Sequence, residues 1–145
     1  MPKMLDVIRM VQRGELPAPP VATLIGFTIG SLEPGRVVME MDAGPQHANP
    51  MGTVHGGILC DLADAAMGMA YASTLDEGET FTTLELKINF LKPVWTGRLT
   101  ATGRIVKGGH TVGLVECDVH DDKDRLVARA SSTCMTLRGE QGEGR

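Results

Sequence analysis

The sequence predicts an α+β domain in which a curled antiparallel sheet of about six strands wraps around one long central helix, with a short helix at the N-terminus. Three observations predict it. Residues 58–73 form a helix-length run that is apolar almost all the way round, with Asp61 and Asp64 as its charges, and such a helix wants burial on every side. About six other stretches alternate polar and apolar residues at period two, as half-buried strands do. The links between them are short and rich in turn residues, which suits antiparallel strands because a parallel crossover needs a dozen or more residues.

Taken in order, residues 3–13 place Met4, Leu5, Val7, Ile8 and Val11 at helical spacing with charges between them. Gly14 and the prolines at 17, 19 and 20 stop this amphipathic helix, so residues 1–20 read as helix and linker. Residues 24–32 and 36–42 read as a hairpin of two strands split by the Glu33-Pro34-Gly35 turn. A loop over 44–54 leads to His55-Gly56-Gly57, which marks the entry to the central helix. Gly68 within that helix costs about 1 kcal/mol against alanine, so a close neighbour is expected there.

Four further strands are expected over 80–91, 98–107, 111–120 and 126–137, separated by Lys92-Pro93, by Gly108-Gly109 and by the charged run 121–125. The glycine-rich tail, 139–145, is expected to be flexible. No repeat or linker divides the chain, so 1–145 reads as a single domain.

With 42% hydrophobic and 22% charged residues the composition is that of an ordinary folded domain, and no apolar run approaches the ~20 residues that cross a bilayer. The N-terminus lacks the apolar core of a secretory signal, so the cytoplasm is the expected compartment. A net charge of -4 argues against nucleic acid as a partner. Three cysteines without a CxxC spacing are expected to be reduced thiols.

The residues around the helix start suit acyl transfer. The first N–H groups of a helix lack intrahelical partners and the macrodipole adds positive charge there, so Gly56 and Gly57 can offer donors to a developing oxyanion; the other reading is a tight turn and nothing more. A carboxylate in an apolar wall has a raised pKa and greater basicity, which makes Asp64 a candidate base unless it pairs with a strand Arg or Lys. Asp61, ~60° away around the helix, either shares its proton or faces solvent. His55 reads as an orienting residue, with an acid role as the alternative. His47, His55 and Asp61 fit no zinc spacing, and Cys60 has no neighbouring cation to activate it, so neither a metal nor a cysteine nucleophile is expected.

Gly56 and Asp64 stand eight residues apart, ~12 Å along one helix, too far for one side chain to serve a carbonyl held at Gly56. Two such helices antiparallel across a two-fold axis bring the groups together, so composite sites, two per dimer, are expected.

Asn49, Met51, Gly52, His55, Gly56 and Gly57 form the pattern N-x-M-G-x-x-H-G-G, followed by an acid, Asp64, nine positions after the histidine. Through these residues, and through FTTLELKINFLKPV at 81–94, the sequence resembles the hotdog-fold acyl-CoA thioesterases of the PaaI-like branch, over nearly all of 24–137. The resemblance implies hydrolysis of an acyl-CoA thioester to acid and CoA without metal or organic cofactor. It implies that the Gly56 N–H faces the thioester carbonyl, that Asp64 is nucleophile or general base, that Asn49 orients the thioester or the attacking water, and that Thr83 lies near that water. It further implies that dimers pair into tetramers. An acid at Asp61 departs from the pattern.

A CoA substrate needs cations at the rim, for which Lys92, Arg104, Lys107 and Arg138 are candidates, with Gly108, Gly109 and His110 as further donors. The acyl pocket is expected to involve Met51, Met67 and Tyr71, with Met4 or Leu5 from the first helix; nine methionines against 3% aromatics suggest an adaptable wall. Two other readings are an acyl-thioester hydratase or dehydratase using His55 and Asp64, and a non-catalytic acyl-CoA-binding module.

Overall fold

The structure, a computed structural model, describes residues 2–144. The elements are α1 (Met4–Gln12), α2 (Pro20–Ile25), β1 (Phe27–Glu33), β2 (Arg36–Ala43), α3 (Gly56–Ala72), β3 (Thr80–Phe90), β4 (Gly97–Gly108), β5 (Val112–His120) and β6 (Leu126–Leu137), with 3-10 turns at Pro45–His47 and Gly139–Gly142. They form a six-stranded antiparallel sheet with α3 packed against it.

One element was not expected. The reading of 24–32 as a strand is corrected, because Leu24 and Ile25 belong to α2 and the strand begins at Phe27. Pro20 occupies the first helical position, where its fixed φ is pre-set and its missing N–H costs nothing, and Gly26 ends the helix in the left-handed region at φ 96°. His47 then pins the following loop to this helix: its Nε2–H donates to the Ile25 carbonyl at 2.7 Å and its Nδ1 accepts the Gly44 N–H at 3.1 Å.

The strand order is β1-β2-β4-β5-β6-β3. The short connection after β3 therefore does not join neighbours, as the sequence reading supposed. β3 pairs with β6, from Thr80 opposite Leu137 to Phe90 opposite Ala128, and forms one edge of the sheet. The chain then crosses to β4, which pairs with β2.

Leu62, Ala63, Ala66, Met67 and Ala70 of α3 are wholly buried against Val37, Leu99, Ala101, Val115 and Val119 of the sheet. A fully buried side chain of leucine or methionine size contributes roughly 1.5–3 kcal/mol, so this seam dominates the stability. Contact is closest at Gly103, where a Cβ would stand 2.4 Å from the Ala66 carbonyl oxygen. At Gly68 the expected close neighbour is the Phe81 ring, 3.2 Å from where a Cβ would be.

Burial of α3 on every side is not what forms. The stripe carrying Asp61, Asp64, Ala65 and Met69 turns away from the sheet toward α1, α2 and β1 and bounds a cavity. Ahead of the tail, Arg138 holds Glu79 at 2.6 Å and the His110 carbonyl at 2.6 Å, and a 3-10 turn follows over Gly139–Gly142. Cys117 and Cys134 are buried and Cys60 is half-buried, all as free thiols. Among the described residues no helix is long and apolar enough to cross a membrane.

Candidate active site

The loop ahead of α3 is tied by Asn49. Its Oδ1 accepts the N–H groups of Met51 at 2.9 Å and Thr53 at 3.2 Å, and its Nδ2 donates to Thr53 Oγ1 at 2.7 Å. A short bridge between Ala48 and Val54 closes the loop. His55 follows in extended conformation as the N-cap, and its Nδ1 accepts the Gly57 N–H at 2.9 Å. The Gly56 N–H has no acceptor among the described residues. It is the open donor at a helix N-terminus, where the backbone dipoles add to it. A Cβ at Gly56 would stand 2.9 Å from the tip of the Phe90 ring, so β3 passes directly over the helix start.

Two turns further along α3, Asp64 faces the cavity, with Asp61 one turn before it. Neither forms an ion pair among the described residues. The carboxyl of Asp64 is held above its ordinary pKa, first by burial among packed atoms and then by the charge of Asp61; a hydrogen bond from Thr83 on β3 opposes both. Asp64 still touches solvent, because the cavity is open on one side. Asp61, Asp64 and Thr83 thus come together within one chain, whereas Gly56 and Asp64 lie ~12 Å apart along the same helix.

The cavity measures about 470 Å³, within the range of ~300–1,000 Å³ that holds most small-molecule ligands. Its walls are Met4, Val7, Ile8 and Val11 of α1, Val21 and Ala22 of α2, Phe27 and Ile29 of β1, Met39 of β2, and Ala65 and Met69 of α3. Sequence reasoning found Met4 among these and missed the rest. The proline pair at 19–20 with Gly26 behind it was the available signal for α2.

Other expected liners lie elsewhere. Met67 is in the core, and Tyr71 is 3% exposed with its hydroxyl bonded to Thr136 Oγ1 at 2.7 Å. The Tyr71 ring rests where a Cβ of Gly113 would be, so the sheet closes over this end of α3 and keeps it out of the cavity. Met51 projects into solvent from the Asn49 loop at 81% exposure, and Leu5 does not reach the cavity.

The cations separate into paired and unpaired. Arg104 is committed to Glu116 at 3.0 Å and Asp118 at 3.7 Å, and Arg138 to Glu79. Lys92 and Lys107 form no ion pair among the described residues. Lys92 borders a second, more polar cavity of about 330 Å³ with Lys123 and Arg125. Lys107, Gly108, Gly109 and His110 make the exposed tip of the β4–β5 hairpin, closed by the Gly109 N–H donating to the Val112 carbonyl at 2.9 Å. Burial, then the charges of Asp61 and Asp64, push the Cys60 thiol up, which disfavours the nucleophilic thiolate. Among the described residues no three His, Cys, Asp or Glu side chains stand close enough to hold a metal ion.

A family model described as the thioesterase superfamily matches residues 51–128. A Saccharolobus solfataricus protein named as a candidate esterase is 32% identical over 135 residues, spanning 93% of this chain and 96% of its own. Human acyl-coenzyme A thioesterase 13 is 28% identical, over 74% of this chain and 77% of its own. Among solved structures, a phenylacetic acid degradation-related protein from Ralstonia eutropha, described as a candidate thioesterase, superposes with a TM-score of 0.82 at 33% identity, covering 88% of this chain and 98% of that one.

Proposed function

The chain belongs to the thioesterase superfamily, and on that premise we propose that it hydrolyses an acyl- or aryl-acyl-CoA to the free acid and CoA, at sites each built from two copies of the chain. One observation carries the composite arrangement. α3 and β3 lie side by side in opposite senses, with Phe90 against Gly56, Thr83 beside Asp64 and Phe81 against Gly68. β3 is a sheet edge, and its Leu84 and Phe90 and the following Leu91 are more than half exposed.

A long edge strand with its backbone groups unpaired and large apolar side chains exposed is open to pairing with another chain, although Glu85, Lys87 and Asn89 are also exposed along it. Antiparallel pairing of two β3 edges about a two-fold axis between Leu86 and Lys87 would set Thr83 of one copy opposite Phe90 of the other, and so bring Asp64 of one toward Gly56 of the other. Pairing of such dimers into tetramers belongs to the same reading.

Asp64 works as general base. Its carboxylate takes a proton from a water that Thr83 helps to hold, and the water oxygen attacks the thioester carbonyl carbon. Negative charge develops on the carbonyl oxygen against the open Gly56 N–H of the second copy. Collapse breaks the C–S bond, the sulfur leaves with the proton returned from Asp64, and the acid departs. Water, carboxylate and amide balance the reaction without a metal or organic cofactor.

Asn49 acts through the loop it ties, and His55 through the helix start it caps. Of the four candidate cations, Lys92 and Lys107, which form no ion pair among the described residues, are available to the CoA phosphates. The test is thiol release from a panel of acyl-CoAs by wild type and Asp64→Asn. The variant should lose at least about 100-fold in turnover while still binding CoA; unchanged release would overturn the assignment.

A further inference from the structure

Among the described residues, the cavity beside Asp64 is lined by carboxylates and by no cation. Its polar lining is Asp61, Asp64, Thr28 and Gln12, and the Gln12 side-chain N–H already donates to the Gly30 carbonyl at 2.9 Å. The remaining wall is aliphatic, apart from Phe27. An acyl group ending in a second carboxylate would enter this space without a counterion and beside two charges of its own sign, the least favourable way to desolvate an ion. A hydrocarbon acyl group meets methyl and methylene surface from α1, α2 and β1 and brings no charge of its own to be desolvated. Asp61 has no structural partner that would explain an acid at this position, since it forms no hydrogen bond or ion pair among the described residues.

From this arrangement we infer that the cavity is a charge-selective acyl pocket, taking uncharged acyl groups and rejecting those that carry a terminal carboxylate, with Asp61 as the specificity-determining residue and the α1–α2 arm as the outer wall. The inference rests on the thioesterase reading in one respect, that the acyl group enters beside Asp64. Asp61 and Asp64 divide the work: Asp64 acts on the thioester, and Asp61 adds a second negative charge that an uncharged chain does not feel. Groups i and i+3 on a helix have their Cβ atoms ~5–6 Å apart, so both charges act on whatever fills the same cavity.

The test uses two CoA thioethers that cannot be hydrolysed, S-hexyl-CoA and S-(5-carboxypentyl)-CoA, which share the CoA phosphates and the chain length. Calorimetric titration of wild type should show the hexyl probe binding at least about tenfold more tightly. Asp61→Asn should narrow that ratio at least about threefold by strengthening the carboxylated probe alone. Met4→Lys, which sets a cation in the α1 wall, should narrow it independently. Equal binding of the two probes to wild type, a ratio unmoved by Asp61→Asn, or no binding of either probe would overturn the inference. Thiol release from hexanoyl-CoA by the same preparations separates the two readings. A binding gap without release defeats hydrolysis and leaves the pocket standing; release without a gap does the reverse.

Discussion

His55 Nδ1 accepts the N–H of Gly57 at 2.9 Å, and through that bond the histidine decides which amide at the start of α3 stays open. The cap satisfies Gly57 and leaves Gly56 N–H without an acceptor among the described residues. His55→Ala should therefore cost about 1 kcal/mol in urea denaturation and lower thiol release as well. Asn at the same position can cap with its side-chain oxygen, so His55→Asn should recover most of the stability. Equal losses in the two variants would show that the imidazole acts by its own chemistry and not as a cap.

The approach of β4 to the central helix gives a stability test independent of function. A Cβ at Gly103 would meet the Ala66 carbonyl oxygen at 2.4 Å, and that oxygen is rigid helix backbone. Gly103→Ala should destabilise by about 2–3 kcal/mol, toward the upper end of overpacking costs. Gly108, in the same strand, offers a control, because a Cβ there meets only Ile105 Cγ2 at 3.9 Å. Gly108→Ala should leave the denaturation midpoint within about 0.5 kcal/mol of wild type.

How much of this was legible in the sequence depends on which contacts fixed each part. β6 ends where period two and its turns place it, and α3 is carried by its apolar run, because both signals are local. α2 was missed because a six-residue helix carries little periodicity of its own; Pro20 and Gly26 mark its ends, yet Val21, Leu24 and Ile25 look equally like strand. Tyr71 lies within ~20° of Asp64 around the helix, so no helical wheel could separate them. Tertiary closure did so: Gly113 and Thr136 receive the Tyr71 ring and hydroxyl, while α1 and α2 leave space beside Asp64. The place of β3 at the sheet edge was likewise a matter of long-range pairing, here with β6.

Opposite displacements of one pH profile test the environment of Asp64. Its raised pKa moves the acidic limb of hydrolysis to higher pH than an unperturbed aspartate would give, with activity lost as pH falls through it. Asp61→Asn removes a like charge and should move the limb to lower pH. Thr83→Val removes a donor to the carboxylate and should move it to higher pH. The nearby thiols of Cys60 and Cys134 are themselves raised and stay neutral throughout this range. Limbs that coincide in all three proteins would remove Asp64 from the role of base.

The same shift has a consequence for stability, with a definite sign. A carboxyl whose folded pKa lies above its unfolded value stabilises the fold below the unfolded pKa, and that contribution is lost as pH rises through the folded one. At neutral pH the ionised Asp64 is therefore a burden on the folded state. Asp64→Asn should raise the melting temperature at pH 7, and the advantage should fade as pH falls into the carboxylate range. A variant less stable than wild type at pH 7 would mean that Asp64 has a stabilising partner in the assembled protein.

Composite sites make a prediction that single-chain sites cannot imitate. Gly56→Pro removes the N–H alone: proline suits the first helical position, and His55 already has the extended φ of -61° and ψ of 136° that a residue before proline adopts. The tip of the exposed Phe90 ring has only to swing aside. Asp64→Asn and Gly56→Pro should each be nearly inactive as homodimers. Subunit exchange at equal concentrations makes about half the dimers mixed, and each mixed dimer carries one site with both groups intact and one with neither. Thiol release should therefore return to about a quarter of the wild-type rate. A mixture as inactive as its components, although mass spectrometry shows mixed dimers, would place the amide and the acid of each site on one chain, where the ~12 Å between them forbids the mechanism proposed above.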